Sequence, residues 1–140
     1  MKRLQTRCDN MKIETLSPSL DTLRAALVSS DVVLDAIFGF SFKGPIRAPF
    51  DSALPLIKSS KLPIVSVDIP SGWDVEQGDV DGVGLNPDVL VSLTAPKSGV
   101  RAFTGRHFLG GHFVSKYGHY HSLAGLYLEH PIERSRSDSS

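Results

Sequence analysis

Apolar runs broken by turn-forming residues recur along the chain and predict strands alternating with helices. The segment Leu62-Pro63-Ile64-Val65-Ser66-Val67-Asp68-Ile69-Pro70-Ser71-Gly72 enters an apolar, β-branched run through a proline, which predicts a strand buried on both faces. It closes with a carboxylate, Asp68, and a Pro-Ser-Gly turn that cannot extend the strand. Residues 31–38 predict a second central strand, apolar apart from Asp35. Pro87 introduces a third at residues 88–94, which stops at Ala95-Pro96-Lys97. Residues 108–114 predict a further short strand, with Gly110-Gly111 making a bulge or a close approach. Residues 1–16 are weakly patterned, although residues 11–16 alternate as a short edge strand would.

Two helices fall between these strands. Ser17-Pro18-Ser19 is the chemistry of a helix start, after which Leu20, Leu23, Leu27 and Val28 share one face and Ser29-Ser30 ends the helix. The second helix runs from about Pro49 to Ser59 with Phe50, Ala53, Leu54 and Ile57 inward. Pro55 inside it removes a backbone hydrogen bond and predicts a kink or a late start.

Strands separated by helices imply a parallel sheet, and such sheets bind ligands beyond the carboxyl ends of their strands. Asp35, Asp68 and Lys97 would then converge on one crevice. Asp68 either carries chemistry there or caps its own turn. Asp35, inside an apolar run, must be hydrogen-bonded, paired or bound to a cation, because an unpaired buried carboxylate is costly. The stretch Gly39-Phe40-Ser41-Phe42-Lys43-Gly44-Pro45-Ile46-Arg47-Ala48-Pro49 lies between a strand end and a helix start. Its backbone N–H groups and cations suit a phosphate or another anion, or form a plain surface loop; the spacing matches neither the dinucleotide nor the Walker A pattern. Residues 73–84 hold four acids and three glycines. Without calcium-loop spacing they read as a solvated loop.

Charge changes the picture only by exclusion. Fifteen basic and fifteen acidic residues give no net charge, so nothing points to nucleic acid or to an anionic membrane. No apolar run is long enough to span a bilayer, the basic start lacks the apolar core of a secretion signal, and the one cysteine, Cys8, fits a reducing compartment. The expectation is a soluble intracellular protein. His107, His112, His119 and His121 cluster within fifteen residues, but none shows a recognised ligand spacing. Surface histidines are the reading, with zinc as the alternative. From Glu129 onward the chain is a polar Ser/Arg tail too poor in apolar residues to fold.

Three motifs together, residues 35–44, 68–76 and 92–97, resemble the NAD(P)H-hydrate epimerase family, the YjeF N-terminal domain. The resemblance covers roughly residues 20 to 117. It implies a Rossmann-like three-layer α/β/α sandwich with a mostly parallel sheet. It also implies an isomerase that interconverts the R and S epimers of hydrated NADH and NADPH, and a place in the cytoplasm or mitochondrion. At the positions matching the family motifs, Asp35 and Ser71 are expected to hold a potassium ion. Gly39, Phe40, Ser41, Phe42, Lys43, Gly44 and Pro45 form the expected substrate-binding loop, Asp68 the substrate-contacting acid/base group, and Lys97 a further substrate contact.

Two departures shape the expected domain organisation. The Asn-Asn-Gly-Gly-Asp-Gly loop that follows the family's first strand is not in this chain, and residues 118–140 do not read like the family's closing strand. Residues 1–117 are therefore expected to form a partial domain, and residues 118–140 a divergent flexible tail. A sheet without its first strand would expose an edge and apolar surface, which invites homo-oligomerisation or pairing with a full-length homologue. The alternative to the epimerase is a non-catalytic homologue that binds nucleotide weakly.

Overall fold

The computed structural model describes residues 2–110. Four strands, β1 (Val33–Asp35), β2 (Ile64–Val67), β3 (Val89–Leu93) and β4 (Arg106–Gly110), form one sheet in the order β1-β2-β3-β4. All neighbouring pairs are parallel, with Asp35 opposite Ser66, Ser66 opposite Leu90, and Leu90 opposite His107. Among the described residues three α-helices accompany them, α1 (Lys2–Asn10), α2 (Leu20–Val28) and α3 (Phe50–Ser59), with one 3-10 turn at Ser98–Val100. This is the parallel α/β sheet expected from the alternating pattern, and it agrees with the Rossmann-like fold that the resemblance implies.

Local chemistry sets the boundaries. Ser19 caps α2 by accepting the amide of Thr22 at 3.1 Å. α3 starts at Phe50, close to the expected position, and continues as a helix through Pro55. The first sixteen residues differ from expectation. α1 occupies a segment read as weakly patterned, and residues 12–16 form no strand. Lys, Arg, Leu and Gln are strong helix formers, so propensity decides α1 where no apolar face does. β1 is also only three residues long, because Ala36 already leaves the ladder to build the site loop.

Alternation along the strands separates the two faces. Ile64, Ser66, Leu90 and Ser92 point to the buried face. There Leu54 and Ile57 of α3 pack with Ile64 and Leu85, joined by Leu23 and Leu27 of α2. Farther along, Ile69, Leu90 and Val100 pack with Trp73, Val75 and Phe103. The opposite face carries Val65, Val67, Val89, Val91 and Leu93, all half-buried. On it Leu34 is 68% exposed and Phe108 56% exposed, and no buried core cluster forms on it among the described residues.

The acidic loop expected at residues 73–84 is tied down more firmly than its composition suggests. Trp73 donates its indole N–H to the Leu85 carbonyl at 2.8 Å, and Lys58 donates to the carbonyls of Gly82 and Gly84. Asp74 accepts the amides of Gln77 and Glu76, which hold its carboxyl below the usual carboxylate range.

At the end of the buried face, Ser92 Oγ and His107 Nε2 lie 2.8 Å apart. His107 is exposed as a residue, and partial desolvation of its ring holds the imidazole below its ordinary value of 6.5. The unfolded chain therefore binds the proton first, and stability present at neutral pH should fall as pH drops through that value. Melting curves across this window should show the decline, and His107→Gln, which keeps a polar partner for Ser92 without titrating, should flatten it.

Among the described residues no group of three or more His, Cys, Asp or Glu could hold a metal, so His107 has no zinc partners there. His112, His119, His121, the end of the strand expected at residues 108–114 and the tail at 118–140 lie outside the described residues. No described helix is long and apolar enough to cross a membrane.

Candidate active site

The carboxyl ends of β1, β2 and β3 each deliver a polar group, and two linked clusters result. The first is centred on Asp35, the last residue of β1, which is 2% exposed. Its Oδ2 accepts the Ser66 hydroxyl at 2.7 Å and the Ser71 amide at 2.9 Å. Its Oδ1 accepts the Ser71 hydroxyl at 2.6 Å and, more weakly, the Ile37 amide at 3.4 Å. Ser66 reaches it because parallel pairing sets the two residues directly opposite on the buried face. Ser66 was not singled out from sequence, although a hydroxyl inside an apolar strand carries the same signal as Asp35.

The second cluster is centred on Asp68, just past β2, at 7% exposure. Asp68 adopts φ +72°, in the left-handed region that Asp tolerates better than most residues. This kink turns its side chain to receive the Phe40 amide on Oδ2 at 2.8 Å and the Lys97 ammonium on Oδ1 at 2.7 Å. Asp68 therefore does more than cap its own turn, since both partners come from other segments. Gly39 lies close alongside it: a Cβ there would stand 3.1 Å from Asp68 Oδ2 and press on the carboxylate. At Gly72, φ is +94° and a Cβ would fall 2.6 Å from the Gly84 backbone, so only glycine closes the turn behind Ser71.

One short segment joins the clusters. Ile37 donates its amide to Asp35, Phe38 to Ser71 Oγ at 3.4 Å, and Phe40 to Asp68. The loop beyond is braced by Phe38 stacking on Phe42, ring centroids 4.0 Å apart. Phe42 donates its amide to Gly39, closing a turn. Among the described residues no acceptor meets the amides of Ser41, Lys43 or Gly44. Phe42, Lys43, Gly44 and Pro45 line an open cleft of about 580 Å³, with Leu54, Pro55, Gly72, Trp73 and Asp74 among its other walls. Neither Asp68 nor Lys97 lines that cleft.

The donor set at Asp35 is all oxygen, which suits a hard cation. Its carboxylate meets only hydroxyl and amide donors, and no lysine or arginine pairs with it among the described residues. Asp35 is thus a buried carboxylate answered by neutral donors alone, two on each oxygen.

A parallel α/β sheet with a buried carboxylate and a Lys–Asp ion pair at its carboxyl edge places the chain among α/β proteins built on the Rossmann plan. Comparison narrows the class. The family described as YjeF-related protein N-terminus matches residues 1–99, and the chain belongs to it. It is 51% identical over 129 residues to an NAD(P)H-hydrate epimerase of Cryptococcus neoformans, covering 81% of this chain and 51% of that protein. It is 56% identical over 84 residues to an NAD(P)H-hydrate epimerase of Paramecium tetraurelia, covering 60% of this chain and 36% of that protein. The crystal structure of yeast ynu0 superposes with a TM-score of 0.74 at 37% identity, covering 81% of this chain and 50% of that one. The chain thus spans about half the length of the curated relatives it matches.

Proposed function

We propose that the chain epimerises hydrated NADH and NADPH, exchanging the R and S forms. The observation that carries this reading is Asp68: a nearly buried carboxylate fixed at both oxygens, at the edge where such a sheet binds ligands. Relatives about 50% identical are named for that activity. Inverting the hydrated carbon requires its C–O bond to break, the hydroxyl leaving as water, and to re-form on the opposite face. A positioned acid/base group gives the proton to the departing hydroxyl and takes one from the returning water, with no net change in atoms or electrons. Two of the roughly four lone-pair positions of Asp68 are engaged by Phe40 and Lys97, so capacity for that proton remains. The loop from Gly39 to Pro45, with the amides of Ser41, Lys43 and Gly44 and the exposed Lys43 side chain, would take the phosphates of the nucleotide.

Asp35 and Ser71 would hold a potassium ion. When bound, the ion supplies the positive charge that Asp35 lacks. The chain's own part is to keep Ser71 and the Ile37–Phe40 segment in place around it.

The test is epimer exchange of hydrated NADPH by the purified chain in potassium buffer, followed by chromatography. Exchange above the spontaneous rate is expected. No exchange from a folded sample would overturn the reading. The second reading, a homologue that binds the nucleotide weakly or pairs with a full-length relative without turnover, would then be left standing.

A further inference from the structure

We infer that Lys97 is a positioning residue, which serves the reaction by fixing Asp68 and does not itself contact the substrate. The inference rests on the proposed epimerase reading and refines it. An ammonium has three N–H donors. Lys97 Nζ meets three protein oxygens: Asp68 Oδ1 at 2.7 Å, the Leu93 carbonyl at 3.2 Å and the Ala95 carbonyl at 3.2 Å. Its hydrogen-bonding capacity is filled before any ligand arrives. The side chain is also only 18% exposed, in contrast to Lys43, which is exposed and lines the neighbouring cleft.

What the ammonium does hold is the geometry of the acid. The carbonyls of Leu93 and Ala95 flank Thr94, whose φ of +67° is unusual for a β-branched residue. Asp68 has φ +72°. Lys97 thus bridges two strand ends that both turn through the left-handed region, and such backbone persists only where surrounding contacts over-determine it. The same ammonium lies 5.6 Å from the centre of the Phe40 ring, whose residue supplies the amide on the other Asp68 oxygen. Lys97 and Phe40 together fix the carboxylate plane from both sides.

A catalytic group displaced by about 1 Å can lose on the order of 100-fold in rate. Lys97→Met should therefore lower kcat by about that factor with KM changed less than about twofold. Amide hydrogen exchange at Phe40 should accelerate in the same variant, and Lys97→Arg should recover most of the lost kcat. A raised KM at unchanged kcat would overturn the inference and make Lys97 a substrate contact. A lowered melting temperature with kcat per folded chain intact would also overturn it, leaving only a structural role. If Lys97→Met does not fold, Lys97→Gln is read in the same way. Should the unmodified chain show no exchange, the functional reading fails by itself. The Phe40 amide then decides the inference alone: faster exchange upholds the positioning role, and unchanged exchange overturns it.

Discussion

Asp68→Asn should abolish epimer exchange while leaving the chain folded and able to bind nucleotide. General acid–base groups contribute about 10² to 10⁴ in rate, so loss of about a thousandfold in kcat is the expected size. The substitution is suited to the question because it keeps the backbone conformation and one of the two anchors of the side chain. Asparagine tolerates the left-handed backbone at φ +72° about as well as aspartate does. Its carbonyl oxygen can still accept the Phe40 amide, so the loop keeps its anchor. Its amide nitrogen then faces the Lys97 ammonium, so that bond is lost together with the charge and the exchangeable proton site. The comparison to make is turnover against nucleotide affinity, with a melting curve to show the fold. Turnover unchanged from the parent chain would remove Asp68 from the acid/base role.

Asp35→Ala should act on stability first. Asp35 satisfies two hydroxyls and two amides in a place 2% exposed, and removing it leaves those donors buried without an acceptor. Stranding buried polar groups in this way costs about 1–3 kcal/mol each, partly relieved by rearrangement, so a loss of about 3–5 kcal/mol is expected. Denaturant unfolding measures it. Asp35→Asn should lose less, since its carbonyl keeps part of the network. A second readout addresses the cation: replacing sodium by potassium should raise the melting temperature of the parent chain, through binding to the folded state alone. Asp35→Asn should lose that difference. Equal melting in the two salts would argue against a potassium ion at Asp35 and Ser71.

Much of this arrangement was legible from residue order. The three central strands, the helices at residues 20–28 and 50–59, and the placing of Asp68 and Lys97 at one edge follow from apolar runs, prolines and caps. Asp35 could be read as a buried group in need of partners, because a carboxylate in an apolar run has no other stable state. Its partners could not be read. Ser66 meets it only through strand register, which depends on how β1 and β2 align. The filled valence of Lys97 was hidden for the same kind of reason, since it depends on carbonyls exposed by the kink at Thr94. α1 was missed because its helicity comes from propensity and not from an apolar stripe.

The bonds that assemble the site also constrain how the chain acquires it. Those joining separate elements link residues 28, 29, 31, 33 and 36 positions apart. Contacts of such high sequence separation must first close long loops, so they form with the sheet and not before it. Asp35 and Ser71 come together only once β1 has found β2, and Asp68 meets Lys97 only once β2 has found β3. Nothing resembling the site exists in any isolated stretch shorter than that span. Its integrity is then a late and all-or-none property of folding, and a ligand held there would report on the cooperativity of the sheet as a whole.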